Sequence, residues 1–129
     1  MKKLIILLFL ALLVTLSVIA GMDIISDVAV AIRSGNAREI AKYFNSNVDL
    51  TLLTEEEVYS KTQAEQVLQD FLSKNTPRSF TIVHQGVKVG AKYAIGNYVS
   101  TQGATYRVYF FVKQNGNSEV IQDLRFEKE

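Results

Sequence analysis

A chain of 129 residues with 14 basic and 13 acidic side chains, one histidine and no cysteine suits one domain with one core and is too short for two. Removing Lys2 and Lys3 leaves the basic side chains one short of the acidic ones. Nothing therefore steers the chain to nucleic acid or to an anionic membrane surface, since both call for a clustered basic excess. The missing thiols exclude disulfide staples and cysteine nucleophiles, and a lone histidine makes a poor zinc site. No metal and no cofactor are expected.

Lys2 and Lys3 precede an uncharged run from Leu4 to Ala20, and Ala20 lies two residues after Val18. These are the three regions of a secretory signal. Residues 1–20 are expected to be cleaved after Ala20, leaving residues 21–129 as a single exported domain, periplasmic or extracellular, with no stable membrane anchor. An uncleaved anchor is the competing reading, because the run approaches the ~17 to 25 apolar residues that span a bilayer. Gly21 stands where a bacterial lipoprotein needs its cysteine.

From Asp23 to Arg33, the residues Ile24, Ile25, Val28, Ala29 and Ile32 recur at helical spacing, with Asp23 as cap and Ser34-Gly35 as stop. A short second helix is predicted from Asn36, with Glu39 reaching back as reciprocal cap and Ile40, Ala41 and Phe44 buried. Val48 to Leu53 alternates as a half-buried strand; its partner is Val58 to Ser60, and Glu55, Glu56 and Glu57 form a solvated turn. Thr62 opens a third helix with Glu65 as reciprocal cap and Ala64, Val67, Leu68, Phe71 and Leu72 inward. Asn75 and Pro77 stop it.

Four long strands follow from Phe80 to Glu129, broken by Gly90, by Gln102-Gly103 and by Asn115-Gly116, the last with the residues of a tight hairpin. Parity puts Phe80, Ile82 and His84 on one face, and Tyr106, Val108, Phe110 and Val112 on one face of their strand. On the last strand it groups Val120, Gln122, Leu124 and Phe126 against Ile121, Asp123, Arg125 and Glu127. The strand from Lys92 to Thr101 is ambiguous, and a bulge near Gly96 is expected to bend it. The order ααββαββββ predicts an α+β fold, three N-terminal helices packed on a strongly curved antiparallel sheet, a cone-shaped roll whose mouth can become a pocket.

His84, between apolar strand neighbours, reads as a candidate general base or as a core-edge histidine bonded to a carbonyl or a tyrosine hydroxyl. Tyr93 and Tyr106 are assigned to the same concave side as His84, and with Tyr59 they complete the candidate ligand-binding set. Arg107, Tyr109, Phe111 and Arg125 fall on the opposite face. Tyr109 and Phe111 are too apolar for a wholly solvated sheet, so these four are the candidate interface.

The element order is similar to that of the nuclear transport factor 2-like superfamily, across essentially all of residues 21–129. At the level of words, Tyr59-Ser60-Lys61-Thr62-Gln63-Ala64-Glu65, Asp70-Phe71, Tyr93-Ala94-Ile95-Gly96, Tyr106-Arg107-Val108-Tyr109 and Leu124-Arg125-Phe126-Glu127-Lys128 resemble an exported Bacteroidetes family called domain of unknown function 4783. The family has no established activity, so the resemblance implies a fold and a compartment. Superfamily members include isomerases and dehydratases with an Asp or His and tyrosines inside the cone, and also many non-catalytic binding and dimerisation modules. A steroid-isomerase-like site needs an aspartate base in the cavity, whereas parity sends Asp123 outward. The expected function is an exported non-catalytic binding or assembly module. It would hold a small apolar ligand or a protein partner, either a second copy or an envelope protein, in the cone or on the sheet face. The alternative is a small isomerase- or hydrolase-like enzyme using His84 as base with Tyr93 or Tyr106 as donor.

Overall fold

The computed structural model describes residues 23–129; the signal assigned to residues 1–20 and its cleavage after Ala20 lie outside them. Helices α1 (Ile24–Ser34) and α2 (Ala37–Ala41) lead into strands β1 (Phe44–Leu52) and β2 (Glu55–Ser60). Helix α3 (Lys61–Lys74) then precedes β3 (Pro77–Lys88), β4 (Ala91–Ser100), β5 (Thr105–Asn115) and β6 (Ser118–Lys128). This is the α+β order ααββαββββ.

Local signals set the helix ends. The Asp23 carboxylate accepts from the Ser26 amide at 2.9 Å, and Gly35, at φ 68°, closes α1 by donating its N–H to the Ile32 carbonyl. Asn36 caps α2 through Arg38 and Glu39 amides, but Glu39 binds Lys42 at 2.9 Å instead of reaching back. With α2 only five residues long, Phe44 is buried as the first residue of β1, not as a helix face. The capping box of α3 uses Ser60 and Gln63, two residues before the expected pair, because β2 runs directly into the helix. Glu55, Glu56 and Glu57 accordingly lie within β2 and not in a turn.

The six strands form one sheet in the order β2-β1-β6-β5-β4-β3. Neighbours are antiparallel except β1 and β6, which pair in parallel. A parallel pair needs a long crossover, and the whole segment from β2 to β5 supplies it. The sheet is therefore mixed and open, with β2 and β3 as edges, and not the strongly curved antiparallel cone that the element order suggests. Helices cover one face, where Val28 and Ile32 of α1 and Leu68, Phe71 and Leu72 of α3 join Leu50, Tyr98, Phe110, Leu124 and Phe126 in one core cluster. Burial of each such side chain stabilises the fold by about 1.5–3 kcal/mol.

Two bulges decide which residues join that core. Between β3 and β4 the register passes from Ile82↔Gly96 to His84↔Ile95, so Val83 is the inserted residue. Between β5 and β6 it passes from Phe111↔Asp123 to Val112↔Ile121, inserting Gln122. Each insertion reverses the faces beyond it. His84 thus leaves the side of Phe80 and Ile82 for the outer face, and Ile121, not Val120, joins Leu124 and Phe126 inside. The bend expected in β4 is in its partner strand. Gly96 itself answers to close approach, since a Cβ there would run into the Phe80 ring and come within 2.8 Å of the Thr81 carbonyl oxygen.

Gly96→Ala should therefore lower stability by roughly 1–3 kcal/mol. Urea denaturation reads this as a lower midpoint at unchanged slope; an unchanged midpoint would mean that the Phe80 ring moves aside freely.

Candidate functional site

The chosen aromatic positions divide between the two faces of the sheet. On the inner face Tyr98 and Tyr106 lie opposite each other on β4 and β5, ring centroids 6.0 Å apart. Phe126 is 5.4 Å from Tyr98 and Phe71 is 5.7 Å from Tyr106. Both hydroxyls end on Asn75, the residue after α3. Tyr98 donates to its carbonyl oxygen, and Tyr106 donates to its Oδ1 at 2.6 Å. Asn75 in turn donates from Nδ2 to the Phe71 carbonyl at 3.0 Å. Burial, and then the neighbouring Tyr106, push the Tyr98 phenol well above its usual range. Tyr106 therefore does not share a side with His84 and Tyr93: it is buried, and its hydroxyl is engaged in holding α3 to the sheet.

The outer face carries His84 and Tyr93. His84 Nε2 and the Tyr93 hydroxyl share a hydrogen bond at 3.0 Å, and the Tyr93 ring lies over Gly86, leaving no room there for a side chain. Lys88 Nζ sits 5.8 Å from the centre of the same ring. Tyr93 neighbours Tyr109 at 6.5 Å, and the Arg125 guanidinium stacks 5.2 Å from the Tyr109 ring centre. Arg125 also grips Asp123 through both carboxylate oxygens, at 3.2 and 2.8 Å. Phe111 lies between Tyr93 and Asp123 in register. A strip of aromatic and charged side chains thus crosses four strands, and no helix of the described residues lies over it.

Arg107 is on the same face but near the sheet's end, exposed and 3.6 Å from Glu129. Such a surface pair contributes about 0–1 kcal/mol. Tyr59 is at the other edge, on β2, half-buried against the inner cluster. Burial, and then Glu57, raise its phenol.

A second feature of the outer face was not legible as a site. The parallel β1–β6 pairing sets Asp49 beside Asp123. A shallow cleft of about 320 Å³, lined by Asp49, Tyr109, Phe111, Gln122 and Asp123, lies there. The Asp49 Oδ1 is buried and finds no hydrogen-bond donor among the described residues. Burial first, then the Glu56 carboxyl, raise the Asp49 pKa, while Arg125 opposes the shift. Alternation pointed Asp49 outward, but only the return of β6 beside β1 brings the two aspartates together. Among the described residues no group of three His, Asp or Glu side chains could hold a metal ion, and no helix is long and apolar enough to cross a membrane.

A raised carboxyl pKa means that the folded state binds the proton more tightly than the unfolded chain. Asp49 then costs stability while ionised, and the cost disappears as pH falls through its folded pKa. Asp49→Asn should melt above the wild type at neutral pH, with the gap closing below about pH 4. Melting curves that stay parallel across this range would exclude the assignment.

The family model described as domain of unknown function (DUF4783) matches residues 25–127. A DUF4783 family protein from Bacteroides ovatus is 29% identical, with a TM-score of 0.76 over 80% of this chain and 93% of that one. One from Bacteroides uniformis is 28% identical, with a TM-score of 0.78 over 83% and 98%. A Nostoc punctiforme domain of unknown function with a cystatin-like fold, 9% identical, superposes with a TM-score of 0.63 over 81% and 72%, a likeness of fold alone. No curated protein matches. With the family match spanning nearly the whole described chain, the protein belongs to the DUF4783 family and carries its cystatin-like, nuclear transport factor 2-like fold.

Proposed function

We propose that this chain is an exported, non-catalytic assembly module that binds another protein surface through the helix-free face of its sheet, most simply the same face of a second copy. The observation that carries this reading is the uncovered strip of Tyr93, Tyr109, Phe111 and Arg125. Aromatic residues and arginine are the side chains that anchor protein interfaces. Charge on the face supports a second copy in particular. Glu56, Asp49 and Asp123 lie toward β2, and Lys88 and Lys113 toward β3. A twofold axis through the aromatic strip would set the acidic part of one copy over the basic part of the other. A small apolar ligand between the helices and the sheet has less support, because Tyr98, Phe110 and Phe126 fill that space. The enzyme reading retains the His84–Tyr93 pair but loses Tyr106 to the core, and Asp123 is held by Arg125.

Sedimentation of residues 21–129 up to near-millimolar concentration should give a monomer–dimer equilibrium. Changing both Tyr109 and Phe111 to Ser should weaken it by about 100-fold or more without altering the fold. A wild type that stays monomeric, or a double variant that dimerises equally well, would remove the reading. The mass of protein recovered from the envelope should correspond to an N-terminus at Gly21; an intact leader would instead favour an anchored form.

A further inference from the structure

The two free edges of the sheet are built differently. β2 is six residues long and begins with three glutamates, and charge along an edge blocks unwanted pairing. β3 is twelve residues long and carries no formal charge from Ser79 to Val87, with Val83 57% and Val87 79% exposed. Its upstream half is engaged by α1, where Arg33 Nε donates to the Phe80 carbonyl at 2.7 Å. Beyond the Val83 bulge β3 pairs only with β4 among the described residues.

Two clefts lie between α1 and this open run. One, of about 210 Å³, includes Ile25, Gln85 and Val87; the other, of about 260 Å³, includes Ala29, Val30 and Ile82 and shares Ile25 and Gln85. An added strand would pair its backbone with the outward amides and carbonyls of β3 and direct alternate side chains toward these clefts. Arg33, Arg78 and Lys88 border the run, and none of them is in an ion pair among the described residues. The one carboxylate lining the clefts among the described residues, Asp23, is engaged as the α1 cap. The frame around the edge is therefore basic.

We propose that the Val83–Lys88 edge and its two clefts bind an extended segment of a partner protein, apolar at alternate positions and acidic at its flanks. Lys88 belongs also to the helix-free face, but the edge is engaged through its backbone and the two clefts, so either surface can fail without the other. The probe is a blocked peptide of sequence Glu-Val-Thr-Val-Thr-Val-Glu, titrated into residues 21–129 with amide shifts as readout. Saturable shifts at Gln85 to Lys88 and along α1 are expected, together with binding at least about tenfold weaker for the same peptide ending in Lys. Val87→Glu and Val30→Glu, at exposed positions, should each weaken binding about tenfold, whereas the Tyr109, Phe111 double serine variant should bind as the wild type does. Equal binding of the two peptides, unaffected binding by both glutamate variants, shifts confined to the helix-free face, or no saturation at millimolar peptide would each overturn the proposal.

Discussion

Val83 in β3 and Gln122 in β6 each add one residue to an antiparallel ladder, and side-chain facing has a period of two, so every position beyond an insertion changes sides. The molecule's chemistry depends on this arithmetic. Without the first insertion His84 would face α1 beside Ile82, and with it the imidazole meets the Tyr93 hydroxyl across the outer face. The second insertion lets Ile121 enter the core while Asp123 and Arg125 stay outside, beside Tyr109. A sheet that is apolar on its helix side and aromatic on the other is the result. Gly96 under the Phe80 ring and Gly86 under the Tyr93 ring accommodate one aromatic on each face.

The tyrosines then do two different jobs. Tyr98 and Tyr106 satisfy acceptors that the C-terminal end of α3 leaves open, through Asn75, and a buried hydrogen bond of this kind contributes about 0.5–1.5 kcal/mol. They also stack against Phe71 and Phe126, so the space beneath the helices is occupied by rings whose polar tips are already bonded. Opening a ligand cavity there would break both. Tyr93 and Tyr109 instead meet His84 and Arg125 side by side on an uncovered surface, where ring and cation contacts leave the ring area available to a partner.

The element order was readable because its signals are local: Asp23, Gly35 and Asn36 at helix ends, Pro77 at the start of β3, and turn residues between the long strands. The outer-face set of Arg107, Tyr109, Phe111 and Arg125 followed from alternation within uninterrupted stretches. What alternation could not reveal was non-local. The bulge at Val83 has no marker in its own residue, and the nearby Gly96, on the neighbouring strand, answers to the Phe80 ring. Ser60 and Gln63 cap α3 only because β2 ends where it does. The parallel seam between β1 and β6 depends on where the last strand returns, and with it went the Asp49–Asp123 neighbourhood. Tyr106 was grouped with His84 by assuming an unbroken β3.

That seam also bears on the proposed pairing through the outer face. Parallel pairing sets Asp49 beside Asp123, with Glu56 on the adjoining edge strand, while the guanidinium that acts on Asp49 is that of Arg125. Arg125 is committed to Asp123 by two hydrogen bonds, so its attraction for Asp49 is the lesser influence there and burial with Glu56 prevails. A folded monomer thus holds a carboxyl group whose ionisation is disfavoured next to half-buried aromatic rings. Solvent cannot reach Asp49 Oδ1, and no group of the described chain donates to it. A cation supplied from outside would relieve the charge and cover the rings in the same step, whereas more packing on the helix side would do neither. The unfavourable local electrostatics and the uncovered apolar surface therefore point to the same face, and for physically independent reasons.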